Sequence, residues 1–190
     1  LLIVGIIGSI VSYRVYEPGT LAVTKEVENA EISIIEIDAN NEKVEIIPTT
    51  DPTPRVEMTG TESNHAKTEL IVEENNHSLS VHTEHEMRKW FSFNFFNSTR
   101  TITVYLPEQE YQQLAVDISN GSIHARNLAV RDINVETKNG KVELSEIVAD
   151  TYQLRTYNGK IDLTNVEGEL AARTNNGAIS LVTADRKSVV

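Results

Sequence analysis

Apolar residues recur at fixed offsets around four asparagines, Asn120, Asn139, Asn158 and Asn176. Six residues before them stand Leu114, Ile133, Tyr152 and Leu170, and four before stand Val116, Val135, Leu154 and Ala172. Two before are Ile118, Thr137, Thr156 and Thr174. Three after come Ile123, Val142, Ile161 and Ile179, and five after come Ala125, Leu144, Leu163 and Leu181. The asparagines are spaced 139 − 120 = 19, 158 − 139 = 19 and 176 − 158 = 18 residues apart. Alternation on both sides of a turn predicts two half-buried strands per unit. The turn is Asn-Gly each time: Gly121, Gly140, Gly159 and Gly177 follow the asparagines. Glycine is expected there to supply the positive φ of a tight turn. A further apolar position, Leu128, Ile147 and Val166, closes each unit.

Two earlier segments fit the same template without the glycine. They are Ile35, Ile37, Asn41, Val44 and Ile46, then Leu70, Val72, Asn76, Leu79 and Val81. Pro48, Pro52 and Pro54 mark an irregular connection between them. A meander of hairpins forming a sandwich and a stack of repeats both satisfy alternation. Matching residues at each offset favour the stack, in which units lie roughly 4.8 Å apart. The predicted fold is therefore all-β, a β-solenoid of about 19-residue two-strand repeats, with the asparagine side chains forming a ladder along one edge. The predicted organisation is a truncated membrane anchor at 1–16, a linker at 17–29, degenerate repeats with an aromatic insert at 30–110, and regular Asn-Gly repeats at 111–190.

The run TITVYLPEQEYQQLAVDISNGSIHARNL, followed by ETKNGKVEL, RTYNGKIDL and RTNNGAISL, resembles the bacterial "putative adhesin" β-strand-repeat family of unknown function. Its membrane-anchored members include LiaG-like proteins of Gram-positive bacteria. The carrying motifs are Thr-x-Asn-Gly-x-Ile/Val-x-Leu and the preceding Tyr-Leu-Pro. The resemblance covers roughly residues 30–183. The resemblance implies a solenoid-like extracytoplasmic domain, sometimes associated with envelope-stress operons. It brings no established activity and no agreed functional residues.

Leu1 to Val11 carry no charge, the first basic residue is Arg14, and no Met begins the sequence. The run is read as the end of a membrane anchor, placing the bulk of the chain outside the cell; a signal-peptide core or a buried strand are the other readings. Acidic residues number 28 and basic residues 17, so the formal charge is 17 − 28 = −11. Such a surface repels phosphate backbones and excludes nucleic acid as a partner. With no cysteine, disulfides, thiolate zinc sites and cysteine nucleophiles are excluded.

Stacking would align outward residues as well. Four after each asparagine stand His124, Glu143, Asp162 and Ser180. Glu143 and Asp162 in adjacent units would approach to about 5 Å, the separation used by retaining glycosidases. Lys141 and Lys160 beside them equally suit a solvated, charge-balanced face. Three before each asparagine stand Asp117, Glu136, Arg155 and Arg173, read as cross-unit ion pairs. His82 and His85 form H-x-x-H, but residues three apart on a strand face opposite sides, a poor arrangement for a metal. No catalytic, cofactor or metal site is assigned. Trp90, Phe91, Phe93, Phe95 and Phe96 form an aromatic segment flanked by Arg88, Lys89 and Arg100. It is read as a strand or hairpin whose rings pack on the end of the stack, or else as an exposed patch for a partner protein, an envelope glycan or the bilayer interface. The function expected is that of a non-enzymatic, anchored adhesin-like or stress-response module. A structural or assembly scaffold is the alternative, and a carbohydrate-active enzyme the third reading. No cap follows the last repeat, so that end is expected to continue or to meet a partner.

Overall fold

A computed structural model describes residues 5–7, 10–17, 20–61, 66–87 and 100–183, with side chains for 20–61, 68–84 and 100–183. Its elements are all strands: β1 (Gly5–Ile7), β2 (Ile10–Glu17), β3 (Thr20–Val27), β4 (Ile34–Ala39), β5 (Lys43–Thr49), β6 (Arg55–Thr61) and β7 (Ala66–Asn75). They continue with β8 (Ser78–Met87), β9 (Arg100–Pro107), β10 (Glu110–Asn120), β11 (Ile123–Asn139), β12 (Val142–Asn158), β13 (Ile161–Asn176) and β14 (Ile179–Val182).

The long strands β11, β12 and β13 each contain a corner. Asn127, Glu146 and Asn165 sit there with φ of 53°, 53° and 52°, 19 residues apart. The segment before each corner pairs in one parallel ladder and the segment after it in another. The first ladder runs β8, β4, β10, then the later parts of β11, β12 and β13, with the hairpin strand β7 antiparallel at its edge. The second runs β9, β5, then the earlier parts of β11, β12 and β13, then β14. Antiparallel strands β6, β3, β2 and β1 extend it beyond β9. One strand from each ladder, joined by a turn, makes one level.

Register follows the sequence columns. Ile35 pairs Leu114, Leu114 pairs Ile133, Ile133 pairs Tyr152 and Tyr152 pairs Leu170. On the other ladder Ile102, Val44, Ile123, Val142, Ile161 and Ile179 are successive partners. These inner columns form the core, with Ile35, Val44, Ile123, Val142 and Leu154 all at 1% exposure or less. A side chain of this size contributes about 1.5–3 kcal/mol on full burial. Tyr152 keeps its place by donating its hydroxyl to the Ile147 carbonyl at 2.8 Å. Burial pushes its phenol up to about 12.

Several expectations change. The turn glycines do not have positive φ; among the described glycines only Gly60 and Gly168 do. A Cβ on Gly140 would instead collide with the Gly121 carbonyl, one on Gly159 with Gly140, and one on Gly177 with Gly159. Close approach of stacked backbones, not turn geometry, excludes a side chain. The segment at Leu70–Val81 is not a stacked unit but an antiparallel hairpin, β7–β8, turning at Asn76 with φ 55°. Leu79 and Val81 lie under Ile35 and Ile37, so β8 and β9 form the lowest level, beneath β4 and β5. The expected linker at 17–29 contains β3, whose Leu21 and Val27 are 1% exposed. Lys25 occupies an inward position of that strand and masks its alternation; burial lowers its pKa, opposed by Glu69. In the expected anchor, Gly5–Ile7 and Ile10–Glu17 are strands. Among the described residues no helix is long and apolar enough to cross a membrane. The shorter last spacing is located at a register shift: Ala149 and Asp150 of β12 face the single residue Gly168 of β13.

Candidate functional site

The turns form one edge of the molecule. Asn139 donates its side-chain amide to Asn120 at 2.7 Å, Asn158 to Asn139 at 2.8 Å, and Asn176 to Asn158 at 2.9 Å. Asn120 in turn donates to Asn41 at 3.1 Å, so the glycine-free turn shares the ladder. Each interior asparagine spends one donor and one acceptor on its neighbours, which suits a structural role. Trp90, Phe91, Phe93, Phe95 and Phe96 lie outside the described residues, in the connection from β8 to β9.

The outward side of the second ladder is a row of polar side chains, one per level. Glu45, His124, Glu143, Asp162 and Ser180 are consecutive partners. Lys141 bridges two levels, contacting Glu143 at 2.6 Å and Asp162 at 3.0 Å. Lys160 contacts Asp162 at 2.6 Å and Lys43 contacts Glu45 at 2.6 Å. His124 Nδ1 lies 2.8 Å from Glu143. The lysines recur because each stands two residues before an acid on the same face of its strand. A shallow groove of about 250 Å³ follows this row, with Arg126, Ser145 and Thr164 on its other side.

The protonation pattern is that of a balanced surface. Hydrogen bonding from Lys160, joined by Lys141, holds the Asp162 carboxyl below its usual range despite desolvation. Lys43 does the same for Glu45. Desolvation lowers the His124 pKa in spite of its Glu143 neighbour. A glycosidase acid needs a raised carboxyl pKa beside an ionised partner. Asp162 is shifted the other way, and Glu143 is in contact with Lys141 and His124. The two predicted carboxylates are adjacent, as partners in the ladder, and Lys141 contacts both.

The first ladder presents a different face. His82, Asp38, Asp117, Glu136, Arg155 and Arg173 are consecutive partners, acidic low in the molecule and basic high. The expected cross-level ion pair between Glu136 and Arg155 is not formed among the described residues, although the two are ladder partners. Asp117 is held above its ordinary pKa by burial, then by Asp38 and Glu136, against Lys138. At the basic end an open hollow of about 720 Å³ lies among Lys138, Arg155, Tyr157 and Arg173. His82 pairs opposite Asp38, while the side chain of His85 lies outside the described residues. Among the described residues no group of three or more His, Asp or Glu could hold a metal ion.

Sequence reasoning missed one polar cluster. Glu42, at the turn below Asn120-Gly121, is fully buried. It accepts backbone N–H bonds from Asn40 at 3.0 Å and Asn41 at 2.9 Å, and lies 3.5 Å from the Arg100 guanidinium. Its signal was available: a glutamate stands where the repeats have glycine.

A family profile described as Toastrack DUF4097 matches residues 32–188. The fold is similar to a "putative cell adhesion protein" from Clostridium sporogenes, with TM-score 0.59 and 13% identity over 87% of this chain and 100% of that one. A "putative adhesin" from Bacteroides fragilis aligns with TM-score 0.40 and 16% identity over 89% of this chain and 98% of that one. Among curated proteins, none matches the sequence.

Proposed function

The chain belongs to the Toastrack DUF4097 family, and from that premise we propose that it is a non-enzymatic, adhesin-like binding module of the cell envelope, outside the cytoplasm and tethered at its N-terminal end. The stacked levels are read as a β-solenoid whose outward row on the second ladder grips an extended polar polymer. One observation carries this reading. The groove beside Glu45, His124, Glu143 and Asp162 carries a lysine–acid unit at three of its levels, with Ser122 and His124 at the level between Glu45 and Glu143, and is open along its length. A repeat of roughly 4.8 Å suits a ligand that is itself repetitive, such as an envelope glycan, better than a compact substrate. The uncharged stretch Leu1–Val11 supports the tether, and the net charge of −11 supports a partner other than nucleic acid. A role in envelope stress accords with such a location. The alternative, an assembly scaffold, draws on different residues at the open end of the stack.

Cosedimentation with purified cell-wall and membrane fractions tests the reading. Arg126→Ala with Lys141→Ala should reduce wall binding, while Gln153→Ala on the opposite face should leave it intact. Trp90→Ala and Phe95→Ala, assayed separately, assign any residual binding to the aromatic segment. Wall binding that ignores both sets of changes would remove the outward row and the aromatic segment as the site.

A further inference from the structure

Among the described residues, the upper end of the stack leaves its core columns uncovered. Ile179 and Leu181 are 45% and 53% exposed, whereas their lower partners Ile161 and Leu163 are at 0% and 1%. From Glu169 to Asn176, β13 has β12 on one side and no described strand on the other. A bare edge of this kind invites an added strand.

The order of residues along that edge selects the strand. Glu169, Ala171 and Arg173 alternate outward, and Leu170 and Ala172 alternate inward. About a two-fold axis through Ala171, an antiparallel copy would set Glu169 against Arg173 twice, once on each side. It would also set Leu170 against Ala172 on the inner face. Neither Glu169 nor Arg173 has an ion-pair partner within the chain among the described residues. The facing sheet is placed for the same axis. Ala171 is 176 − 171 = 5 residues before Asn176, and Val182 is 182 − 177 = 5 residues after Gly177, so the two stand level across the last turn.

We propose that the open end of the stack is a self-association edge, on which a second copy of this chain adds antiparallel to β13 about a two-fold axis through Ala171. The interface is isologous: each copy supplies the acid and the base of the two cross-strand pairs, and Leu181 of both copies becomes covered.

The absence of cysteine makes the geometry directly testable in the full chain. Residues on the axis of an antiparallel pair have Cα atoms about 4.5–5.5 Å apart, within disulfide reach. Ala171→Cys should therefore give a disulfide-linked dimer under mild oxidation. Gln153→Cys, exposed in the same column one level lower, should not. In sedimentation equilibrium, Glu169→Arg and Arg173→Glu should each raise the dimer dissociation constant about tenfold, since two attractive cross-strand pairs become repulsive. The double variant should recover most of the loss. A monomeric wild-type chain would overturn the proposal. So would linkage through position 153 as efficient as through 171, or a double variant no better than either single one.

Discussion

A Cβ placed on Gly140 would overlap the carbonyl oxygen of Gly121, its counterpart one level below. The same collision repeats up the edge, so these glycines mark where consecutive turns touch backbone to backbone. Gly140→Ala should cost about 3 kcal/mol, the upper part of the range for forcing atoms into a packed site. Asn139→Ala removes two exposed amide hydrogen bonds and should cost only about 1 kcal/mol. Urea melts of the two variants should rank them in that order; equal losses would mean that the turn tolerates the extra carbon by shifting.

The second corner offers a change in the opposite direction. Glu146 has φ 53°, a conformation that asparagine accepts more readily, and asparagine occupies it at 127 and 165. Glu146→Asn should stabilise the chain by about 0.5–1 kcal/mol. Asn165 now donates to Glu146 at 2.6 Å, and the new amide can accept the same bond. A rise in the thermal midpoint is the expected readout.

Asp117 sets a pH dependence. Its carboxyl pKa is raised in the folded chain by burial, Asp38 and Glu136, so ionising it opposes folding. The penalty is absent below the ordinary Asp value of about 3.9 and complete once the pH exceeds the raised folded value. Asp117→Asn should therefore raise the melting temperature at pH 7 and lose that advantage below about pH 4. Added salt should shrink the gain at pH 7, because the Asp38 and Glu136 contributions are screened.

The buried Glu42 should be far less tolerant. Glu42→Ala leaves the Arg100 guanidinium, at 10% side-chain exposure, without its carboxylate, together with two backbone donors. Removing one member of a buried pair typically costs about 3–5 kcal/mol. Glu42→Gln keeps an oxygen for the Asn40 and Asn41 N–H groups and should cost less. Chemical denaturation of both variants checks the difference.

The repeat columns were legible because stacking demands one side chain per level at one place, and that demand is written in residues such as Leu114, Ile133 and Tyr152. What escaped was set by contacts distant in sequence. Leu79 and Val81 satisfy the alternation of a turn's far side, yet they stack under Ile35 and Ile37 on its near side. Alternation alone cannot say which partner a strand takes. Lys25 hid β3 because a charged residue at an inward position breaks the pattern by which strands are recognised. The Asn127, Glu146 and Asn165 column was visible only as spacing, since glutamate gives no hint of a left-handed backbone. Glu143 and Asp162 stand side by side, as the spacing implied, and Lys141 contacts both.

The level formed by β8 and β9 comes later in the chain than the level that rests on it. The β4–β5 level therefore cannot be closed from below until residue 107 has emerged, and it cannot act as a finished platform for β10 before then. The regular repeats above need only their immediate predecessor and are mostly local in sequence. Folding should thus have a slow step, governed by long-range closure of the base, followed by rapid upward zipping. This order makes the base, rather than the repeats, the point at which the molecule commits to its shape.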